Sequence, residues 1–435
     1  MGDCISELPD DILCNIISYL TVREAFIVRS LSSRWKDLPD TRFLLQFDAY
    51  TILGDKPSDL GLHTRASNFA KAVTQFLKIW SAKKTSALKI KFGLGNEYAS
   101  HIDGWILSVT SKEIVELDLD FSGLSYFSSL MKTRPDKYVF PCNLLDTAKA
   151  SSLKHLRLEF CNLTLVCDAS TSWLSKLSIV ELTCVSLRSR DLECIMSNCF
   201  DLEFLRVINC NLEGPICAQH PCLKKLVIYD VCEHVELRCP QLETFEFAGR
   251  SDFAFLNVPL LGEVCLKNSF KLRGCSAEFR DLAVNAPQLQ TLYLCVTTEV
   301  PPLPPSVIMS GLKHLDLFLM VPAGFDIFSI THMVYACPVL ETFHVKSSPK
   351  EYSVQSPQLQ YVNRPHFHLK EVKIEPLCMV FPVFELLEYL LRNCVSLQQM
   401  VFIVGAKAST ITVFKEQPTF RKWQNINPAV ELIII

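Results

Sequence analysis

From about residue 111 to the end, the chain repeats one short alternation of apolar and polar positions. The clearest lines, SLKHLRLEFCNL from Ser152 and DLEFLRVINCNL from Asp201, both fit L-x-x-L-x-L-x-x-C-x-L, with Val or Ile accepted for Leu. Strict alternation within such a line is typical of a strand with one buried face. The first apolar residues of the lines fall at 114, 153, 177, 202, 223, 242, 261, 289, 312, 340, 369 and 397.

Two further regularities indicate that these lines stack on one another. Three residues before the repeat leucine stands Cys199, Cys239, Cys337 or Cys394, with Ala286 at the same register. Small apolar residues are required where the backbones of stacked repeats approach closely. Between lines, segments such as SRDLECIMSNC have helical spacing and return the chain. The pattern therefore predicts an α/β solenoid in which each strand is followed by a helix or loop and the strands line the concave face.

The first forty residues follow a different, helical period. Ile12, Ile16 and Leu20 recur every four residues, Pro9 suits a helix start, and TVRE from Thr21 is a capping box. SLSSRWKDL supports a short third helix. Three helices of this size bury a very small core, so we expect the module to be completed by a partner.

Composition excludes several classes of protein. Of 435 residues, 43 are Lys or Arg and 46 are Asp or Glu, so the net charge of −3 does not favour nucleic acid as a partner. No run of 18 apolar residues and no signal peptide appear, which predicts no membrane partner and a cytoplasmic or nuclear location. The nineteen cysteines form no C-x-x-C pair, so we expect buried thiols rather than disulfides or zinc sites.

No catalytic motif is present in the sequence. There is no G-x-S-x-G, Walker loop or H-E-x-x-H, and no general base accompanies a cysteine. His366 and His368 lack acidic or cysteine neighbours, so we expect them to contact solvent or backbone rather than a metal. The sequence predicts a protein that is not an enzyme and that needs no metal or cofactor.

The residues from Ile5 to Leu38 resemble an F-box of the plant type, and the repeats resemble those of plant F-box proteins with leucine-rich repeats. The portion from about 311 to 405 is similar to the FBD-type region that ends many of them. We therefore divide the chain into an F-box (1–45), a connecting region with irregular first repeats (46–110) and a leucine-rich-repeat solenoid (111–435).

This resemblance implies docking onto the SKP-type linker of a cullin-RING ubiquitin ligase. The matching positions imply linker contacts, some of which will instead belong to the core of the module, at Leu8, Pro9, Ile12, Ile16, Leu20, Val28 and Trp35. The chain would then be the substrate receptor of an SCF-type ligase.

Residues between the repeat leucines point toward the open face of the strands. Aromatic and basic residues there are candidate contacts for a target, namely Arg157, Arg206, Tyr229, Lys267, Tyr293, Phe318, His344 and Lys346. Mixed charge along this strip favours a protein or peptide over a phosphate backbone. The basic segment between Lys71 and Lys91 is interpreted as a solvated helix face that joins the two modules.

Two alternatives remain open at the level of sequence. Arg29 and Arg34, near the docking surface, are compatible with a protein-interaction scaffold that no longer recruits a ligase. A small-molecule co-receptor is the other alternative, since some relatives of this fold recognise plant hormones together with their target.

Overall fold

The computed structural model describes most of the chain, namely residues 5, 7–31, 33–36, 38, 44–54, 61–80, 85–123, 136–145, 152–165, 172–210, 212, 214–230, 234–249, 252–270, 276–296, 303–304, 306–320, 327–347, 365–375, 381–403 and 418–435. The chain divides into two compact units, Met1–Glu213 and Gly214–Ile435. We call them unit 1 and unit 2 and describe each separately.

Unit 1 begins with the predicted three-helix module, formed by α1 (Asp10–Tyr19), α2 (Val22–Leu31) and α3 (Ser33–Lys36). The predicted capping box is present, because Thr21 N–H donates to Glu24 at 2.8 Å and Glu24 N–H donates to Thr21 Oγ1 at 3.2 Å. The module encloses a small core whose buried members are Leu13, Ile17, Ala25, Trp35 and Leu38.

The rest of unit 1 is built from short parallel strands and their connections. The strands are β1 (Leu44–Asp48), β2 (Ala87–Lys91), β3 (Glu116–Asp120), β4 (Tyr138–Phe140), β5 (His155–Glu159), β6 (Cys161–Leu163), β7 (Ile179–Thr183) and β8 (Phe204–Ile208). Strands β1, β2, β3, β5, β7 and β8 pair in that order, and β4 pairs separately with β6. The connections include α4 (Ala49–Leu53), α5 (Leu62–Ile79), α6 (Ala99–Thr110), α7 (Ser189–Asn198) and 3-10 turns at Asn96–Tyr98, Cys142–Leu145 and Ser172–Lys176.

Unit 2 continues the same architecture. Its strands are β9 (Ile216–Gln219), β10 (Lys225–Tyr229), β11 (His234–Arg238), β12 (Thr244–Ala248), β13 (Asp252–Phe255), β14 (Glu263–Phe270), β15 (Thr291–Val296), β16 (His314–Leu319), β17 (Thr342–Ser347), β18 (Glu371–Ile374), β19 (Gln399–Phe402) and β20 (Glu431–Ile434). The helices are α8 (Ser276–Asn285), α9 (Thr331–Tyr335), α10 (Phe381–Asn393) and α11 (Pro418–Ile426), with a 3-10 turn at Ile327–Ile330. Strand β10 and then β12 and β14 to β20 pair in parallel, whereas β9, β11 and β13 form a second small sheet.

The predicted repeat pattern is confirmed strand by strand. Each of the twelve predicted lines contains a strand of the main ladders, and each strand begins two residues after the repeat residue. Along β5, for example, Leu156 and Leu158 are buried while the residues on either side are partly exposed. Because side chains alternate across a strand, the leucines form the core and the residues between them form one continuous exposed face within each unit.

The range 46–110 also contains regular elements that the sequence pattern did not predict. Strands β1 and β2 pair in parallel and in register from Leu44↔Ala87 to Asp48↔Lys91. The interpretation of the basic segment as one helix face is therefore wrong after Ile79, because Lys89 and Lys91 lie on a strand of the ladder. The pattern ALKIK is too short and too rich in lysine to be recognised as a strand.

The small-residue register before each strand is buried, as predicted. Cys199, Cys239, Cys337, Cys394 and Ala286 are all at most 3% exposed. The structure adds two histidines at the same register, because His220 and His366 are buried there as well. A histidine fits this position when a neighbouring repeat supplies a partner, and the His366 ring Nε2 lies 3.0 Å from the Cys337 carbonyl oxygen.

The expectation about thiols holds for most of the described cysteines. Thirteen described cysteines are free, and burial raises the pKa of several of them, including Cys199 and Cys394. Cys194, however, is disulfide-bonded, which contradicts the expectation that the cysteines form no disulfides. No helix in the described part of the chain is both long enough and apolar enough to cross a bilayer.

Candidate functional sites: a helical docking surface and two strand faces

The helical module presents an apolar surface opposite its own core. Leu13 and Ile17 of α1 are completely buried, so the other side of the helix faces solvent. That side carries Ile12 at 43% exposure and Tyr19 at 86% exposure, and Leu8, which precedes the helix, is exposed as well. Because exposed apolar side chains in such a small module are not needed for its own packing, they are available to a partner.

Burial separates the seven predicted linker contacts into three groups. Leu8, Pro9 and Ile12 are exposed, and Ile16, Leu20 and Val28 pack partly against the core. Trp35 is only 7% exposed and belongs to the core itself. Its prediction as a linker contact is therefore corrected to a packing role, because its ring has little surface left to offer. Helical spacing could not make this distinction, since every apolar stripe looks alike in sequence.

Four exposed apolar residues of the same module were not among the predicted contacts, namely Ile5, Tyr19, Phe26 and Ile27. Tyr19 follows Ile12 by seven residues, so it lies on the same side of α1 two turns later. The i, i+7 spacing was therefore the available signal. Ile27 of α2 is half exposed.

Two arginines of the module, Arg29 and Arg34, make hydrogen bonds within it. Arg34 Nη2 donates to the Leu8 carbonyl oxygen at 2.5 Å and to Asp10 Oδ1 at 3.2 Å. Arg29 is buried and donates to the Leu38 carbonyl oxygen at 3.1 Å. Arg34 thereby ties the segment that carries Leu8 and Pro9 to the rest of the module.

The module is also attached to the strand ladder of unit 1. The ring of Phe26 in α2 packs edge-on against Phe76 in α5, with centroids 6.0 Å apart. Phe76 in turn contacts Phe47 of β1 at 5.6 Å. Phe76 and Phe47 are fully buried, so a continuous aromatic contact joins the helices to the first strand.

The exposed strand face of unit 1 carries a row of charges that alternate in sign. Lys89, Asp118, Arg157, Glu181 and Arg206 stand in register on five successive strands of the ladder. Neighbouring strands lie about 4.8 Å apart, so each charge has opposite charges as its nearest neighbours. Arg157 lies 3.6 Å from Asp118, and Arg206 lies 3.5 Å from Glu181.

A second row reinforces this arrangement. Lys89 Nζ donates to Glu116 Oε1 at 2.7 Å, and the His155 ring lies between Glu116 (3.3 Å) and Glu181 (3.0 Å). The hydrogen bond with His155 is the main reason why the pKa of Glu181 is lowered. Burial, in contrast, raises the pKa of Asp118 in spite of the nearby Arg157 and Lys89. Each charged side chain of these two rows nevertheless has an oppositely charged partner within 4.0 Å.

In unit 2 the first strands hold a compact cluster around Glu246. This carboxylate accepts from the Tyr229 hydroxyl at 2.7 Å, from Lys267 at 3.2 Å and from Lys225 at 3.0 Å. Lys267 Nζ also donates to the Tyr229 oxygen at 2.8 Å and lies 5.3 Å from the centre of its ring. Burial alone would raise the pKa of Glu246, but these hydrogen bonds outweigh it and lower the pKa to about 2.

The later strands of unit 2 are less completely neutralised. The His344 ring lies 3.6 Å from Asp316 and 3.5 Å from Glu375, and Lys346 pairs with Glu375. Asp316 stands in register between Tyr293 and His344, and Phe318 lies two residues further along the same strand. Burial raises the pKa of Asp316, and the nearby histidines and Lys373 do not offset that effect.

The eight predicted target contacts all occupy outward positions of the main ladders, which confirms their predicted orientation. The structure brings Tyr229 together with Lys267, and it brings His344 and Lys346 together at Glu375. The sequence could not predict these contacts, because the partners are separated by as many as 38 residues. Contact of any of the eight with a target stays a prediction.

His366 and His368 contact the backbone, as expected. The buried His366 ring accepts from the Leu369 N–H at 3.2 Å, and His368 Nδ1 lies 2.9 Å from the Pro338 carbonyl oxygen. Within the described ranges, no three His, Cys, Asp or Glu side chains form a group suited to a metal ion.

A three-helix module with an apolar outer surface, followed by parallel strands with outward polar rows, defines an F-box protein with leucine-rich repeats. The F-box domain model matches residues 5–46, and the model described as At1g61320/AtMIF1, LRR domain, matches residues 77–420. The chain belongs to this family of F-box proteins with leucine-rich repeats, which are typically non-catalytic adaptors.

Curated relatives in Arabidopsis thaliana carry matching names. The chain is 26% identical to the F-box/FBD/LRR-repeat protein At5g56420 over 369 residues, which are 80% of this chain and 79% of the relative. It is 25% identical to the FBD-associated F-box protein At5g56370 over 89% of this chain and 83% of the relative. The FBD-associated F-box protein At1g61320 is 26% identical over 56% of this chain and 49% of its own length.

Proposed function

We propose that this chain is the substrate receptor of an SCF-type ubiquitin ligase. Its F-box docks onto an SKP-type linker, and its strand faces bind a protein target. The observation that carries the proposal is the exposed apolar surface of Leu8, Pro9 and Ile12 on a module whose core lies on the opposite side. F-box domains in general support binding of such a linker.

The role of the chain in this proposal is positioning rather than chemistry. A bound target is held at high effective concentration near a charged conjugating enzyme, so proximity accelerates the transfer of ubiquitin. Such positioning needs a firm joint between the docking module and the binding face. The contact of Phe26 with Phe76 supports this requirement for unit 1. We further propose that the complex acts in the cytoplasm, the nucleus or both.

The test is co-expression with an SKP-type linker, followed by affinity capture and size-exclusion chromatography. We expect a stoichiometric complex with the wild-type chain. Leu8→Ala combined with Ile12→Ala is expected to weaken the complex about one hundredfold or more. Both side chains would become buried against the linker, and truncating them costs about 3 kcal/mol of binding free energy.

The matched control is Leu107→Ala on α6, a helix outside the docking module. Leu107 is 46% exposed, so the change removes a similar apolar surface without touching Leu8, Pro9 or Ile12. This variant should bind the linker as the wild type does. If the folded wild-type chain stays alone with several SKP-type linkers, the receptor proposal fails and a ligase-independent scaffold replaces it.

A further inference from the structure

Unit 2 shows how its own strand face holds an ammonium group. Tyr229 on β10 and Glu246 on the neighbouring strand β12 enclose Lys267 Nζ, which donates to both oxygens at 2.8 and 3.2 Å. The same nitrogen lies 5.3 Å from the centre of the tyrosine ring, within the range of a cation–π contact. In this protein a tyrosine and a carboxylate on neighbouring strands therefore bind an ammonium group, and here that group is the side chain of Lys267.

A tyrosine and a carboxylate stand again on neighbouring strands further along the ladder of unit 2, here as direct register partners rather than diagonal neighbours and with no described lysine bound to them. Tyr293 on β15 and Asp316 on β16 are direct register partners, and both are partly exposed. Within the described part of the chain, the ionic contact of Asp316 is with His344 Nδ1 at 3.6 Å, and no Lys or Arg lies within 4.0 Å. The Tyr293 hydroxyl has no hydrogen-bond partner among those residues either.

The lysines nearest to this pair on neighbouring strands are already held elsewhere. Lys267 is bound to Tyr229 and Glu246. Lys346, the register partner of Phe318, pairs with Glu375. Lys373 pairs with Glu371 at 2.5 Å. Among the described residues, none of these lysines therefore occupies the Tyr293–Asp316 pair, and the ionic neighbour of Asp316 is His344.

We propose that Tyr293 and Asp316 bind the cationic end of a lysine or arginine side chain in the target protein. The carboxylate would accept charge-assisted hydrogen bonds, and the tyrosine would contribute its ring face and its hydroxyl. Phe318, next to Asp316 on the same face, offers apolar contact to the aliphatic stem of that side chain. This inference rests on the proposed binding of a protein target by the strand faces.

The electrostatics of the site favour a cation over any other occupant. Burial raises the pKa of Asp316, and no described lysine or arginine lies within 4.0 Å of its carboxylate, whereas Arg157 lies 3.6 Å from Asp118 in unit 1. Glu263, on the strand that precedes β15, adds negative potential at Tyr293. A positive side chain of the target would therefore offset the unfavourable desolvation of the Asp316 carboxylate. An anionic or purely apolar side chain would not.

The test uses the full chain alone, labelled with 3-fluorotyrosine and observed by fluorine NMR. The probes are the acetylated methylamides of lysine, arginine and norleucine, and the last matches the lysine stem without its charge. Tyr293→Phe assigns the Tyr293 resonance. We expect the lysine and arginine amides to shift this resonance in a saturable way and the norleucine amide to leave it in place.

Asp316→Asn is expected to weaken the cationic amides about tenfold, which corresponds to the loss of one charge-assisted contact. Glu181→Gln, on the strand face of unit 1, removes a carboxylate that pairs with Arg206 and should leave the Tyr293 response unchanged. An equal shift with norleucine, or an undiminished response in Asp316→Asn, would overturn the proposal. The comparison of lysine with norleucine on the wild-type chain needs no variant, so a folding defect cannot obscure it.

The outcome is independent of linker binding. Asp316→Asn leaves Leu8, Pro9 and Ile12 untouched, and it should form the linker complex normally. A wild-type chain that binds the linker but none of the cationic amides would reject this inference alone. A chain that binds the cationic amides but no linker would reject the ligase role and keep the site.

Discussion

The strand faces of the two units use the same positions of the repeat for different purposes. In unit 1 Asp118 stands between Lys89 and Arg157, and each charge of its row meets an opposite charge on the next strand. In unit 2 the corresponding position holds Asp316, which stands between Tyr293 and His344. The inward residues of the strands determine the fold because they must pack. The outward residues at equivalent repeat positions can therefore differ between the two units.

The largest loss of stability is expected when a buried leucine beneath either strand face is truncated. Leu158 lies under the face of unit 1, and Leu317 lies under that of unit 2; both are almost completely buried. Leu158→Ala and Leu317→Ala should each reduce the free energy of unfolding by about 2 to 5 kcal/mol, because each leaves a cavity in a packed layer. Urea denaturation monitored by circular dichroism measures this loss. Equal stability in the outward variant Arg157→Ala and in Leu158→Ala would contradict the division into core and face.

An intermediate loss of stability is expected in the cluster around Glu246, whose carboxylate is paired with lysines of unit 2. Glu246→Gln should cost about 1 to 2 kcal/mol at neutral pH, because it weakens three contacts of a partly exposed carboxylate. The pKa of Glu246 is about 2 in the folded chain and is near the usual 4.5 when unfolded. Its contribution is therefore present above pH 4.5 and is lost as the pH falls toward 2.

The measurement is the difference in unfolding free energy between wild type and Glu246→Gln as a function of pH. That difference should shrink as the pH is lowered from about 5 toward 2, as long as both chains remain folded at the start. A difference that stays constant over this range would show that the carboxylate charge of Glu246 is not what stabilises the cluster.

The smallest change in stability is expected at Asp316, and it has the opposite sign to that at Glu246. Burial raises the pKa of Asp316, so its carboxylate is disfavoured in the folded chain at neutral pH, and this cost disappears as the pH falls through the raised pKa. Asp316→Asn should therefore raise the free energy of unfolding by about a few tenths of a kcal/mol. Thermal unfolding of the wild type and of Asp316→Asn at about pH 8 measures this effect. Clear destabilisation there would contradict an under-compensated carboxylate.

Much of the fold was predictable because the repeat carries its own signal. Leu156 and Leu158 alternate with polar residues, and the same alternation returns at a regular spacing, so twelve strands could be placed from the amino-acid pattern alone. Strands β1, β2 and β20 were not predicted, because their short sequences, LLQFD, ALKIK and ELII, lack the residues that flank the other repeats. They are strands because a neighbouring strand pairs with them, which is a tertiary cause.

The docking surface was predictable as a set of apolar residues but not as a surface. Ile12 and Trp35 are both apolar residues of the F-box pattern, yet one is exposed and the other is buried. Which side of each helix faces the core depends on how the three helices pack together. No spacing within a single helix contains that information.

The class of this protein is predictable from its amino-acid pattern, because alternation, repeat length and the F-box pattern are local and require only neighbouring residues. The arrangement of the polar side chains on the strand faces depends instead on tertiary pairing. Tyr229, Glu246 and Lys267 meet because parallel pairing brings distant segments within hydrogen-bonding distance. The same pairing places Tyr293 beside Asp316 without a lysine. Cross-strand neighbours are set by the register of the ladder, and that register exists only in the folded chain.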